Sequence, residues 1–232
     1  MIQALPPVSG QRLRAVRSFV RREGRITPAQ QQALLDLWPR FGIEAEGPIE
    51  PAAAFGRDAP LCIEVGFGNG ERLVSAALAR PDCNYLGIEV HRPGVGRVLQ
   101  RAEALELHNL RVVCADAVEV CAQLLPAACA AELAIFFPDP WPKKRHHKRR
   151  LIQPEFAKVL AQVLAPGGHL RLATDWADYA RHMLEVLAAA PQFDNACGRG
   201  FAQRPPDRPL TRFEARGLSL GHAVFDLEFI RR

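Results

Sequence analysis

The chain has 232 residues, 48% of them hydrophobic and 24% charged, which suits one globular domain with a sizeable core rather than a disordered or fibrous chain. Its net charge of +5 is concentrated: residues 143–150 carry six Lys/Arg, residues 1–25 carry six arginines against Glu23, and the remainder is net acidic. No charged segment followed by an apolar run opens the chain, and its longest apolar run (127–137) is interrupted by Glu132, so a secretory signal and a membrane span are not predicted and the cytoplasm is the expected place.

Residues 1–54 read as a basic N-terminal arm with a short helix and a linker, and 55–232 as the main domain. "TPAQQQALLDLW" (27–38) predicts a helix with Thr27 as N-cap and Pro28 at the first helical position. Pro and Gly crowd 39–60 as the linker. From Leu61 strands and helices alternate. Strands are predicted over 61–65, 84–90, 110–116, 132–137 and 169–174, with helices over 71–80, 94–107, 117–125, 154–165 and 176–189. "AVFDLEF" (223–229) alternates and reads as a last strand. This order predicts an α/β fold with a doubly wound, largely parallel sheet.

"IEVGFGNGE" (63–71) follows the first long strand and opens a helix. Such a loop lets backbone approach a nucleotide-like ligand at the carboxyl end of the sheet. A dinucleotide fingerprint wants GxGxxG with a small sixth residue. Here the glycines are Gly66, Gly68 and Gly70, and Glu71 stands at the sixth place. The GxGxG spacing after Glu64 instead resembles S-adenosylmethionine-dependent methyltransferases. Glu89 and Asp116 end the next two strands, where carboxylates can take ribose hydroxyls and an adenine amine. The six cysteines form no CxxC pair and the seven histidines no HxxxH or HExxH, so no metal site or disulfide framework is predicted.

With these motifs assembled, the chain resembles the bacterial tRNA (guanine-N7-)-methyltransferases. The matching stretches are "RSFVRREGRIT" (17–27), "FGRDAPLCIEVGFGNGE" (55–71), "GIEVHRPGVG" (87–96), "FFPDPWPKKRHHKRRL" (136–151), "LATDW" (172–176) and "TRFEARGLSLGH" (211–222). The resemblance implies a Rossmann-like class I methyltransferase fold, seven-stranded and mostly parallel with a reversed last strand. It implies S-adenosylmethionine as cofactor and guanine 46 of the tRNA variable loop as acceptor. By the same resemblance Glu64, Glu89, Asp116 and Asp139 are cofactor-site acids, and Asp139 is also catalytic. Lys143, Asp175, Thr211, Arg212, Phe213 and Glu214 are implied to meet substrate.

Guanine N7 carries an in-plane lone pair and loses no proton on methylation, so orientation and electrostatics suffice without a general base. Pro138, Pro140 and Pro142 fix φ around Asp139 and Trp141, predicting a stiff, extended turn. Trp141 either stacks on a base or plugs apolar space under the loop, and the residues leave both open. Lys143, Lys144, Arg145, His146, His147, Lys148, Arg149 and Arg150 are expected to contact RNA. Asp175 also has the place of a helix cap, and Thr211 with Glu214 the spacing of a capping box. Two rivals stand beside this reading. An amino-directed nucleic-acid methyltransferase resembles DPPY or NPPF at this strand end, but here Trp141 follows Asp139-Pro140 directly. A non-catalytic tRNA-binding module would not need the complete acid set. A monomer and a homodimer fit equally, and no obligate protein partner is expected.

Overall fold

A computed structural model describes residues 18–19, 25–205, 208, 210, 214–215 and 223–232. The strands are β1 (Gly42–Ile43), β2 (Leu61–Val65), β3 (Asn84–Ile88), β4 (Leu110–Val113), β5 (Ala130–Phe136), β6 (Leu164–Thr174), β7 (Phe193–Asn195) and β8 (Phe225–Arg231). They form one sheet in the order β1-β4-β3-β2-β5-β6-β8-β7. Pairings from β1 to β6 are parallel, and β8 runs antiparallel to both β6 and β7. The order β4-β3-β2-β5-β6-β8-β7 is the expected seven-stranded sheet with its last strand reversed. The eighth strand, β1, comes from the stretch predicted to be a linker.

The helices are α1 (Pro28–Asp36), α2 (Trp38–Phe41), α3 (Pro51–Phe55), α4 (Glu71–Ala79), α5 (Arg92–Ala104), α6 (Ala117–Glu119), α7 (Pro154–Val163) and α8 (Ala177–Ala188). Thr27 caps α1 as expected, and Gln30 returns the bond in a capping box. α1 lies close on α5: a Cβ added at Gly96 would sit 2.7 Å from the Gln30 carbonyl. The predicted linker is therefore built into the domain, with Phe41, Ile49 and Phe55 buried. A two-residue strand has no periodicity to read, and β1 exists because the free edge of β4 can pair with it.

Side chains alternate across the strands, so β2, β3 and β4 each feed two cores. Ile63 and Leu86 join the core that α7 and α8 cover. Their neighbours Cys62 and Tyr85 join the core under α4 and α5. Coverage of both faces explains why these strands read as continuous apolar runs. Burial raises the thiols of Cys62 and Cys121 to about 12, so both stay protonated and pack as small hydrophobes. Among the described residues no helix is long and apolar enough to cross a membrane.

Candidate active site

The chain leaves β2 toward β3 and β4, then crosses back to place β5 on the other side of β2. The carboxyl ends of β2 and β5 therefore flank the switch point, where such sheets open a crevice. The glycine loop follows β2, and the "PDPWP" turn follows β5. Gly66, Gly68 and Gly70 all have positive φ, at 71°, 55° and 68°. A Cβ at Gly66 or Gly68 would meet nothing within 4 Å, whereas one at Gly70 would lie 2.0 Å from a Val98 methyl. The first two glycines thus line open space, and the third packs the loop onto α5. A Cβ at Gly94 would lie 2.0 Å from the Gly68 carbonyl, so α5 touches the loop backbone itself.

Glu89 holds that loop. Its Oε2 accepts from Gly68 N–H at 2.9 Å, and its Oε1 accepts from the N–H groups of Val90 and His91 at 2.7 and 2.9 Å. Asp116 ends the β4 connection and caps α6 through Val118 N–H at 3.0 Å. Both retain acceptor capacity, since each ionised carboxylate has about four lone-pair sites. Glu64 differs. It is buried beneath the loop with its Oε2 3.3 Å from Arg72. Burial pushes its carboxyl up from the usual range, and the Arg72 guanidinium opposes this. Arg72 also reaches Glu132 at 2.7 Å, and Arg171 and Arg80 approach Glu132 at 3.6 and 3.8 Å. Arg72 went unread in the sequence. The signal was there: Glu64 and Glu132 interrupt otherwise apolar strands, and a buried acid needs a cation.

After β5, Phe137 N–H donates to the Ala173 carbonyl at 2.8 Å, which ties the turn to β6. Asp139 is exposed at the rim. Two non-glycine residues of this turn take left-handed backbone, Phe137 at φ 51° and Trp141 at φ 46°. The turn is therefore not the extended one predicted, and each such residue costs about 1–3 kcal/mol and persists only where its surroundings hold it. Trp141 Nε1 donates to the Ser18 carbonyl at 2.9 Å, and the Arg149 guanidinium lies 3.8 Å over its ring. Ser18 stands in the N-terminal stretch of the sequence, so a backbone group from that stretch reaches this tryptophan.

The basic run forms a 3-10 turn over Lys144–Arg149. Lys143, Lys144, Arg145 and Lys148 are exposed. Arg150, expected to contact RNA, is instead buried. Its Nε donates to the Pro140 carbonyl at 3.0 Å, its Nη2 meets Asp178 at 2.5 Å, and its guanidinium lies 4.9 Å over Tyr179. It staples the "PDPWP" turn to the first turn of α8. His146 and His147, expected to face RNA, are half-buried: His146 stands edge-on to Trp141, and His147 is 3.1 Å from Arg150.

Asp175 lies just past β6 on the same rim, but it does not cap α8. The N-cap is Trp176, whose N–H is held by Thr174 Oγ1 at 3.3 Å. Glu214, expected to meet substrate, is turned into the protein with both oxygens on Arg208. Thr211, Arg212 and Phe213 lie outside the described residues.

Open space over Gly66 and Gly68, with the carboxylates of Glu89 and Asp116 beside it, fits a nucleoside with ribose hydroxyls and an exocyclic amine. S-adenosylmethionine is such a ligand. Comparison with known proteins agrees. A family model described as "Putative methyltransferase" matches residues 58–227. The tRNA (guanine-N(7)-)-methyltransferase of Alkalilimnicola ehrlichii is 56% identical over 223 residues, covering 94% of each chain. The chain belongs to the tRNA (guanine-N7-)-methyltransferase family. The protein of that name from Halorhodospira halophila is likewise 56% identical, over 92% of this chain and 94% of its own. Among solved structures, the 16S rRNA methyltransferase KamB superposes with a TM-score of 0.55 at 16% identity, over 91% of this methyltransferase and 96% of that chain. An rRNA methylase from Streptococcus thermophilus gives 0.51 at 14% identity, over 75% and 87%. These two likenesses concern the fold.

Proposed function

We propose that this enzyme methylates N7 of guanine 46 in the variable loop of tRNA. One observation carries the reading: the Asp139 turn and the glycine loop flank one switch-point crevice, and exposed cations follow the turn directly. S-adenosylmethionine is the methyl donor and supplies an electrophilic methyl on a sulfonium. Glu89 and Asp116 hold its ribose and adenine, and Gly66 and Gly68 let backbone close on it. Asp139 accepts hydrogen bonds from donors of the bound guanine and favours the positive charge that develops on the base. No residue takes a proton from N7, because none is lost. Lys143, Lys144, Arg145 and Lys148 bind phosphates around the target, with Lys143 nearest the turn and Asp175 on the rim beside it. Trp141 orders the motif rather than stacking on a base, since its indole N–H and one ring face are engaged. The place of action is the cytoplasm, where tRNA is.

The test is transfer from labelled S-adenosylmethionine to unmodified tRNA, followed by nucleoside analysis. The expected product is 7-methylguanosine, lost when the variable-loop guanine is replaced. A methyl on an exocyclic amine, or transfer that survives the replacement, refutes the reading.

A further inference from the structure

Glu214 lies in the "TRFE" stretch, yet its carboxylate is committed inward. Its two oxygens accept from Arg208 at 2.8 and 2.9 Å, and Arg204 Nε approaches at 3.3 Å. Arg208 also donates to Asp226 on β8 at 3.1 Å. The Glu214 side chain is 1% exposed and that of Arg208 3%. A carboxylate held in this bidentate way, out of solvent, has no face to offer a nucleotide. Two arginines meet two acids here, so the cluster adds nothing to the field that attracts RNA.

What it does reach is the root of the catalytic turn. The Arg208 guanidinium lies 5.6 Å from the Phe136 ring and 5.7 Å from the Phe137 ring. Phe136 closes β5, and Phe137, at φ 51°, begins the chain toward Asp139. Left-handed backbone at a bulky residue persists only where its surroundings hold it. A buried ion cluster is a weak source of net stability compared with apolar packing, but its geometry is specific. In the chain, Arg208 and Glu214 also stand on either side of the implied substrate stretch.

We infer that Arg208 is a positioning residue for methyl transfer, and that Glu214 acts through Arg208 rather than on the substrate. The inference rests on the methyl-transfer reading above. Its test is a double-mutant cycle of Arg208→Ala, Glu214→Ala and the double variant. Each is measured for melting temperature, S-adenosylmethionine affinity by calorimetry, and kcat and KM with unmodified tRNA. Each single change is expected to lower kcat about tenfold to a hundredfold, the scale of a small misplacement at the reacting centre. Cofactor affinity stays within about twofold, and the double variant is no worse than the worse single one, as for residues acting as a unit. Glu214→Gln, which keeps an acceptor for Arg208, recovers part of the loss. Additive losses, or a Glu214→Ala defect confined to the KM for tRNA, would mean that Glu214 meets substrate and overturn the inference. Full kcat below a lowered melting temperature would reduce the cluster to a structural brace, with the same consequence. If Arg208→Ala does not fold, Arg208→Lys against Glu214→Gln closes the cycle. A wild-type chain that methylates no tRNA refutes the functional reading itself; an active wild type with additive variants refutes this inference alone.

Discussion

On the glycine-loop side of the crevice, side chains are held by backbone; on the Asp139 side, backbone is held by side chains. Glu89 is fixed by three N–H groups and Asp116 by one. Across the crevice, Arg150 grips the Pro140 carbonyl, Arg149 covers Trp141, and Arg208 packs on Phe136 and Phe137. The first arrangement suits one small ligand, because amides and carboxylates stand in place before it arrives. The second would suit a rim that presents an acid to a base while facing a polyanion, as proposed above. Its cations divide into two sets, some turned inward to hold the turn and others turned to solvent. A basic run therefore overstates the number of cations it presents to solvent.

The comparison breaks most sharply at Asp139. Asp139→Ala or Asp139→Asn should lower single-turnover methyl transfer by about 10²–10³, the scale of removing one preorganised electrostatic group. Melting temperature and cofactor affinity should hold. Near-normal single-turnover transfer by the folded variant would remove Asp139 from the chemistry. Next comes the division of the cations. Arg150→Ala should cost about 2–3 kcal/mol in denaturant unfolding, because the Pro140 carbonyl and Asp178 lose a shared donor. Arg145→Ala should change stability by less than about 0.5 kcal/mol and lower the salt slope of tRNA binding by about 0.7–0.9. Equal behaviour of the two variants would erase the distinction between inward and outward cations.

Much of this was legible beforehand. Hydrophobic runs and their breakers placed β2 to β6, β8 and the longer helices, because each spans enough residues for its period to register. β1 and β7, at two and three residues, carry no such pattern and form only because a sheet edge receives them. The GxGxG spacing pointed to the right kind of loop, and Gly70 shows the physical content: it does the close packing that a dinucleotide fingerprint gives to its last glycine. Arg150 was misread because a run of cations has no contrast of polarity to reveal its inner face. A 3-10 turn repeats every three residues, which sets His147 and Arg150 together on the side that meets Asp178. Glu214 was misread for a different reason. Its partner Arg208 stands 6 residues away, beyond helical spacing, and Arg208 is in turn tied to Asp226, 18 residues further on, so nothing local joins these groups.

On the glycine-loop side the expected effect is smaller. Glu89→Ala frees the N–H groups of Gly68, Val90 and His91 and removes acceptors for the ribose. The affinity for S-adenosylmethionine should fall at least about tenfold by calorimetry, about 1.4 kcal/mol. Salt should not alter that ratio, since the site is built from short hydrogen bonds rather than from a field. A tenfold loss that disappears at high salt would make this side resemble the other.

The smallest effect concerns Asp178, the acid that anchors the staple. The hydrogen bond from Arg150 holds its carboxyl below the usual value of 3.8, against an opposing effect of burial, with the Arg150, His147 and Arg181 charges adding to the lowering. An acid with a depressed folded value stabilises the fold above its unfolded value and loses that contribution as pH falls through the folded one. Asp178 is about half exposed, so solvent screening limits the gain to about 0.5–1 kcal/mol. Asp178→Asn should therefore lower the urea midpoint slightly at pH 7, with the gap to wild type closing as pH drops below about 3.8. No gap between variant and wild type at pH 7 would mean that Arg150 is held by the Pro140 carbonyl and Tyr179 alone. The staple would then rest on packing, and the Asp139 side would owe less to charge than its arginines suggest.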